Sequence, residues 1–252
     1  MRLTFLGTGT STGVPTLGCR CSTCSSTDPH DHRTRSSILL EFDGRVVVID
    51  TTPDFRQQGL RERMERLDAV VFTHTHADHV FGLDDVRVFN MRQKEPIPIY
   101  GDRRSIESIR RIFAYVFEGD YVGGGIPRLE TRIIDGPFEL WGVTMIPLPV
   151  LHGGLPVLGF RFGRAAYITD FSVIPESTLA QLNDLDVLIL DALRHKPHPT
   201  HSTLDQSLEL VGRLKPQRAY FTHIAHELSH EATNQALPPN ARLAYDGLKL
   251  EL

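Results

Sequence analysis

One short motif constrains this chain more than any other stretch: the sequence His-x-His-x-Asp-His at residues 74–79. It directly follows the apolar run at residues 69–72, which is typical of a buried strand. Functional sites in α/β sheets lie where such strands end, and side chains two residues apart on an extended backbone point the same way. His74 and His76 can therefore reach one ion together. Asp78 and His79 follow the turn and can serve a second ion nearby.

The ligand chemistry narrows the kind of metal. Imidazole and carboxylate groups suit Zn²⁺, Mn²⁺ or Fe²⁺ better than Ca²⁺. The alternative is a polar loop that is rich in histidine by chance. We prefer the metal site because the rest of the chain supplies the missing ligands.

The motif resembles the signature of the metallo-β-lactamase superfamily. The other ligands of that family match His152, Asp170 and His223 in this sequence, in the expected order along the chain. The resemblance implies an α+β four-layer sandwich (αββα) that binds two divalent ions in a catalytic site. It also implies a division of the ligands: His74, His76 and His152 for the first ion, Asp78, His79 and His223 for the second, and Asp170 as a bridge. We expect Zn²⁺ or Mn²⁺ as the catalytic metal.

Length and composition are those of an ordinary globular protein. The 252 residues are 40% hydrophobic and 23% charged, and we interpret residues 1–252 as one domain. The net charge of −4 gives no general electrostatic reason to expect a nucleic-acid partner. No apolar run approaches the roughly 18 residues of a membrane span, and the first residues resemble a strand more than a secretory signal. We therefore expect a cytoplasmic protein without a membrane partner, and a homodimer is one candidate assembly.

Three cysteines form a C-x-C-x-x-C cluster: Cys19, Cys21 and Cys24. An odd number of cysteines is a poor disulfide framework, and in a reducing compartment such spacing favours metal binding. Three thiolates and one imidazole make a closed tetrahedral structural zinc site, for which His226 is the best fourth ligand. The alternative is three unligated thiols. The loop at about residues 18–26, together with His226, resembles the phosphoribosyl cyclic-phosphate phosphodiesterases of bacterial phosphonate breakdown.

Two further residues are assigned roles around the metal site. The segment His201-Ser202-Thr203 resembles an element of the RNA-processing and phosphodiesterase branches, which implies that His201 contacts the phosphate and protonates the leaving oxygen. Asp78 is counted with His201 as catalytic. The alternative for His201 is a surface histidine near a helix start, and we interpret His195 and His198 as surface residues. Asp50 ends an apolar run and is expected to orient a metal-binding histidine, although helix capping is an alternative.

Such a site is suited to hydrolysis, because a water between two ions about 3.5–4 Å apart loses its proton near neutral pH. The leading hypothesis is a metal-dependent phosphodiesterase acting on a small phosphodiester, with a cyclic phosphodiester as one candidate. One alternative is hydrolysis at a carbonyl, as in lactonases and thioesterases. Another is tRNA 3′ processing, although the long glycine- and proline-rich arm of those enzymes is not evident. A third is a non-enzymatic interaction module.

The remaining pattern predicts several elements that bear on the site. Helices are expected over residues 53–67 and 80–90, and a loop with His152 is expected after a strand that is broken by Pro147 and Pro149. The glycine-rich segment at residues 7–15 either presents its amides to an anion or is only a turn. A glycine-rich loop at residues 118–127 either closes over the substrate or is a simple connection.

Overall fold

A computed structural model describes residues 1–118 and 125–252. Its strands are β1 Arg2–Gly7, β2 Ser37–Phe42, β3 Arg45–Ile49, β4 Ala69–Val71, β5 Ile97–Gly101, β6 Leu129–Ile133, β7 Phe138–Leu140, β8 Val143–His152, β9 Leu155–Phe162, β10 Ala165–Ile168, β11 Val187–Asp191, β12 Arg218–Thr222, β13 Ala241–Leu243 and β14 Lys249–Glu251. Its α-helices are α1 Phe55–Arg61, α2 Ala77–Val80, α3 Arg87–Gln93, α4 Arg103–Ile112, α5 Ala114–Phe117, α6 Glu176–Leu179, α7 Leu204–Leu214 and α8 His230–Ala236.

The strands form two mixed sheets of seven strands each. The first has the order β14-β1-β2-β3-β4-β5-β6, and the second has the order β13-β12-β11-β10-β9-β8-β7. Within the first sheet, β3 to β6 run parallel, and within the second, β10 to β13 run parallel. Each sheet thus has a parallel half, in which all strands end at the same edge.

Three hydrophobic clusters separate four layers. One cluster lies between the two sheets and includes Phe5, Phe160 and Tyr167. A second packs the outer face of the first sheet against its helices, with Phe55 of α1 and Ile109 of α4. A third does the same for the second sheet, through the helical residues Leu179, Leu204 and Val211 among others. Each sheet therefore buries one face against the other sheet and its other face against helices, which confirms the predicted αββα sandwich.

The strand that ends at His152 is longer than the sequence predicts. Strand β8 runs without interruption through Pro147 and Pro149 to His152, which is therefore the last residue of a strand and not part of a loop. Its neighbour β7 pairs only with residues 143–145 of β8. Beyond that point β8 is an edge strand, where a missing backbone N–H breaks no ladder bond.

The two predicted helices that flank the metal motif are shorter than expected. The helix expected over residues 53–67 ends at Arg61, and that expected over residues 80–90 is divided into α2, a 3₁₀ turn at Leu83–Val86 and α3. The division falls at Gly82, where an added Cβ would lie 2.0 Å from the carbonyl oxygen of Thr52. The chain must bend there because the backbone of residue 82 packs directly on the loop after β3.

Within the described ranges, no helix is both long and apolar enough to cross a bilayer. The glycine-rich loop expected at residues 118–127 falls largely outside the described residues, which resume at Gly125.

Candidate metal centre

The candidate metal ligands lie at one edge of the sandwich, where strands of both sheets end. His74 follows β4 in the first sheet, whereas Asp170 follows β10 and His223 follows β12 in the second. His152 is the last residue of β8. Because parallel strands end at the same sheet edge, the two sheets bring together ligands that are far apart in sequence.

The first cluster consists of His74, His76 and His152, whose ring nitrogens lie within 4.8 Å of one another. The Nε2 atom of His74 lies 3.0 Å from Nδ1 of His76. The Nδ1–H of His152 donates to the carbonyl oxygen of Thr200 at 2.7 Å, so its Nε2 remains available to a metal. Such a bond from the non-ligating nitrogen is how proteins orient histidine ligands.

The second cluster consists of Asp78, His79, Asp170 and His223, again with ligand atoms within 4.8 Å. The Nε2 atom of His79 lies 3.3 Å from Asp78 and 3.4 Å from Asp170. The Nε2 atom of His223 lies 3.3 Å from the other carboxylate oxygen of Asp170.

Asp170 lies between the two clusters, since its Oδ2 is also 4.0 Å from Nε2 of His74. Asp170, His223 and Asp50 all have left-handed backbone conformations, with φ of 53°, 56° and 66°. Left-handed non-glycine residues are uncommon, and such conformations concentrate at functional sites. Here each one turns the chain where it leaves a strand for the site.

Asp50 supports the motif from beneath. Its carboxylate accepts hydrogen bonds from the Thr73 backbone N–H at 2.8 Å and from the Thr73 hydroxyl at 2.7 Å. Its Oδ2 also accepts from Nδ1 of His79 at 2.8 Å. The structure therefore places Asp50 where it fixes the tautomer of His79 and leaves Nε2 facing Asp78 and Asp170.

The buried atoms and charges of the site fit bound cations. Among the described residues, Nε2 of both His79 and His223 is buried without a hydrogen-bond partner, which is costly unless another group satisfies it. Burial by itself lowers the pKa of both imidazoles, but the surrounding carboxylates outweigh it, raising the pKa of His79 well above its usual value and that of His223 to about 9. An environment that favours positive charge and offers unpaired nitrogen and carboxylate donors suits a divalent metal.

His201 lies directly over the second cluster. Its ring stacks on that of His223, with centroids 4.6 Å apart and planes 16° from parallel. Its Nδ1–H donates to Oδ2 of Asp191 at 2.8 Å, and Asp191 is completely buried. The Nε2 atom of His201 is therefore the nitrogen left for a substrate.

Asp191 is a site residue that the sequence pattern marks only as the end of a strand. It terminates the apolar strand β11, as Asp50 and Asp170 follow β3 and β10. The shared signal, an aspartate directly at the end of a buried strand, is the one that could have identified it.

His198 also lies at the site and is not a detached surface residue as predicted. Its ring centroid is 5.1 Å from that of His201, and its Nδ1 lies 3.3 Å from the backbone nitrogen and 3.2 Å from the hydroxyl of Thr200. It is half-buried, and this burial, with the charges of its neighbours, lowers its pKa. His195, by contrast, is exposed and lines a separate groove of about 350 Å³ between α7 and α8.

The three cysteines form a second cluster with His226. The Sγ atoms of Cys19 and Cys21 each lie 3.3 Å from Nδ1 of His226, and Cys24 completes a group within 4.8 Å. The backbone N–H of Cys24, followed by the His226 side chain, lowers the pKa of Cys21 to about 6, which favours the thiolate that zinc requires. His226 lies three residues after His223. This cluster therefore places the cysteine loop close to the candidate ligand His223.

The glycine-rich segment at residues 7–15 is a structural turn whose backbone amides donate to other parts of the protein. The amides of Gly9 and Thr10 donate to backbone carbonyls, and that of Thr8 donates to the carboxylate of Asp246 at 2.9 Å. These amides are not available to an anion, so of the two sequence interpretations the turn is favoured.

The family model described as "Beta-lactamase superfamily domain" matches residues 45–224, which is more than half of the chain. This chain belongs to the metallo-β-lactamase superfamily. The matched region begins at β3 and ends just after β12, so it contains every candidate ligand of the two catalytic clusters.

Several relatives are similar over the whole chain. A crystal structure described as a "New Diphosphatase from the PhnP Family" is 49% identical with a TM-score of 0.94, over 100% of this chain and 97% of that one. The protein named "Octanoyltransferase" of Porphyromonas gingivalis is 39% identical over 99% of this chain, which spans only 51% of that relative. Zn²⁺-bound PqqB from Methylobacterium extorquens, at 23% identity, a TM-score of 0.81 and full coverage of both chains, shares the fold.

Proposed function

We propose that this chain is a dinuclear metal-dependent phosphodiesterase that hydrolyses a small phosphodiester. The observation that carries the proposal is the placement of His201, which lies over the second ligand cluster and is fixed by a buried carboxylate. A proton donor next to a metal pair is what cleavage of a poorly activated phosphodiester requires. The similarity to a diphosphatase of the PhnP family supports the same substrate class.

The proposed ligands follow the two clusters. His74, His76 and His152 hold one ion, Asp78, His79 and His223 hold the other, and Asp170 lies between them. Two such ions, Zn²⁺ or Mn²⁺, would supply an activated water and neutralise developing charge on the phosphate. Asp50 and the carbonyl of Thr200 orient His79 and His152 through the ring nitrogens that face away from the ions.

His201 acts as the proton donor to the leaving oxygen. Asp191 accepts from its Nδ1–H and stabilises the protonated ring, so the proton that is transferred is the one on Nε2. The side chain of His201 is 11% exposed, so the ring is shielded from bulk water but its free nitrogen remains open to a bound substrate. Asp78 contributes as a ligand and as a neighbour of the reacting group.

Cys19, Cys21, Cys24 and His226 bind a third, structural zinc. The donor set leaves no open position, which is typical of structural and not catalytic zinc. This ion would tie the loop at about residues 18–26 to the segment that follows His223, and so stabilise the position of that ligand.

A small substrate is favoured over tRNA because the chain carries a net charge of −4. Binding of a polyanion depends on phosphate contacts with basic side chains. Without an excess of basic residues, affinity for the substrate must come from the metal centre and from a few groups near it.

A second candidate is hydrolysis of an acyl ester or thioester, which the relationship to the relative named octanoyltransferase favours. This chain matches about half of that protein, and the named activity can reside in the other half. A proton donor fixed at the metal site has less purpose for a thioester, whose sulfur leaves readily.

The test is hydrolysis of bis(p-nitrophenyl) phosphate by metal-stripped protein, with and without restored Zn²⁺ or Mn²⁺. We expect release of p-nitrophenol only with metal. The nitrophenolate leaves readily without a proton, so the role of His201 is tested on an alkyl phosphodiester, for which we expect His201→Ala to lower kcat about 100-fold without changing the metal content measured by mass spectrometry. Cleavage of octanoyl thioesters without phosphodiester cleavage would transfer support to the second candidate. Loss of metal in parallel with activity would remove the proton-donor role of His201.

A further inference from the structure

The imidazoles of His223, His201 and His198 form a row that leads outward from the metal centre. His223 is buried, His201 stacks on it at 4.6 Å, and His198 follows at 5.1 Å from His201. His198, like His201, is partly exposed. Its position is one imidazole farther out than the group assigned to the leaving oxygen.

The hydrogen bonds of His198 determine which of its nitrogens is free to bind a ligand. The backbone N–H of Thr200 can only donate, so the Nδ1 atom of His198 at 3.3 Å must accept. In the neutral ring the hydrogen is then on Nε2. No hydrogen bond or ion pair involves Nε2 in the part of the chain that the structure describes, so it is a donor without a partner.

Thr200 connects this donor to the metal centre. Its carbonyl oxygen accepts from His152, while its amide and hydroxyl contact His198. The position of His198 is therefore set by the same short segment that orients a proposed metal ligand, which makes it a fixed group and not a freely moving surface side chain.

The local charge at this end of the row is positive. The segment at residues 194–198 has the sequence Arg-His-Lys-Pro-His. Arg194 donates to the carbonyl oxygens of Lys196 and Pro197 and lies 3.5 Å from Glu227, so it braces the segment. Lys196 is exposed and has no ion-pair partner within residues 1–118 and 125–252.

We propose that His198 binds a second phosphate of the substrate, on the leaving-group side of the phosphate that is cleaved. The inference rests on the proposed phosphodiesterase function and narrows its substrate class to compounds with two phosphates, such as diesters of diphosphate. The unpartnered Nε2–H donates to an oxygen of the outer phosphate, and the basic segment favours its charge. His198 is thus a binding residue for specificity, whereas His201 serves the reaction itself.

The experiment compares two inhibitors of bis(p-nitrophenyl) phosphate hydrolysis that differ by one phosphate, AMP and ADP. The inhibition constants are measured for the wild-type protein, for His198→Ala and for the matched control His195→Ala. His195 belongs to the same segment but lines the groove between α7 and α8. If His198 donates a hydrogen bond to a charged phosphate, His198→Ala weakens the binding of ADP roughly tenfold more than the binding of AMP. His195→Ala changes the ratio of the two inhibition constants by less than about twofold.

The assignment would be overturned if His198→Ala weakened the binding of AMP and ADP equally. It would also be overturned if His195→Ala changed the ratio of the two inhibition constants as much as His198→Ala does. Calorimetric titration of the zinc-loaded proteins with AMP and with the non-hydrolysable α,β-methylene analogue of ADP gives the same ratio and does not depend on turnover. A wild-type protein that does not hydrolyse the reporter would therefore contradict the proposed function, while the calorimetric ratio would still decide the role of His198. Thermal unfolding of each variant separates loss of the subsite from loss of the fold.

Discussion

Replacing Asp191 with asparagine tests how much the orientation of His201 contributes to turnover. The carboxylate is completely buried and accepts from Nδ1–H of His201 at 2.8 Å. Asparagine has nearly the same shape but no charge, so it cannot stabilise the protonated ring. A hydrogen bond to a charged group contributes about 1.5–3 kcal/mol, and about 1.4 kcal/mol corresponds to tenfold in rate. We therefore expect kcat to fall about ten- to 150-fold.

The assay is hydrolysis of an alkyl phosphodiester, whose alkoxide leaving group needs a proton, at saturating substrate and with the bound metal measured on the same samples. Metal content must be followed because Oδ1 of Asp191 lies 4.0 Å from Nδ1 of the proposed ligand His223. Asp186→Asn is a suitable control, since it removes a carboxylate just before the same strand, where it pairs with Arg164 at the surface.

The expected result is a fall in kcat for Asp191→Asn at unchanged metal content, with Asp186→Asn close to wild type. Wild-type turnover by Asp191→Asn would refute the idea that the buried carboxylate supports the proton donor. A fall in activity that only follows lost metal would assign Asp191 to His223 instead of His201.

Three further substitutions test the framework around the site. Cys24→Ser is expected to remove one zinc equivalent and lower Tm by roughly 5–10 °C, as measured by metal analysis and thermal unfolding. Asp246→Ala strips the acceptor from the amides and hydroxyls of Thr8 and Thr34, and we expect urea unfolding to show a loss of about 3–5 kcal/mol. Gly82→Ala places a Cβ 2.0 Å from the Thr52 carbonyl oxygen, and we expect urea unfolding to show a loss of about 3 kcal/mol in the free energy of unfolding. Wild-type stability in any of the three variants would contradict the contact that the substitution removes or disturbs.

Local sequence patterns were sufficient for the metal motif, and the resemblance of that motif to a known family was sufficient for the fold. The spacing of His74, His76, Asp78 and His79 after an apolar run is a local signal, because strand period and loop position are encoded by adjacent residues. The start of α7 also has a local cause, since Thr203 caps the helix that begins at Leu204. The family match confirms the superfamily that these residues suggested.

Features set by contacts between distant segments could not be read in the same way. The break at Gly82 depends on the Thr52 carbonyl, which only the folded chain brings against it. His198 resembles any histidine in a polar loop, and its relation to His201 follows from how Thr200 is held by His152. These details depend on where β8, which ends at His152, lies relative to the segment before α7.

The division of the ligands between the two sheets has a consequence for truncated or split forms of the chain. Strands up to β6 contribute His74, His76, Asp78 and His79, whereas strands from β8 onward contribute His152, Asp170 and His223. Neither part alone has a complete set for either cluster. Two separately expressed fragments would regain high-affinity metal binding only on reassociation, and the metal would in turn increase their affinity for each other by mass action. Recovered turnover could then serve as a reporter of fragment complementation.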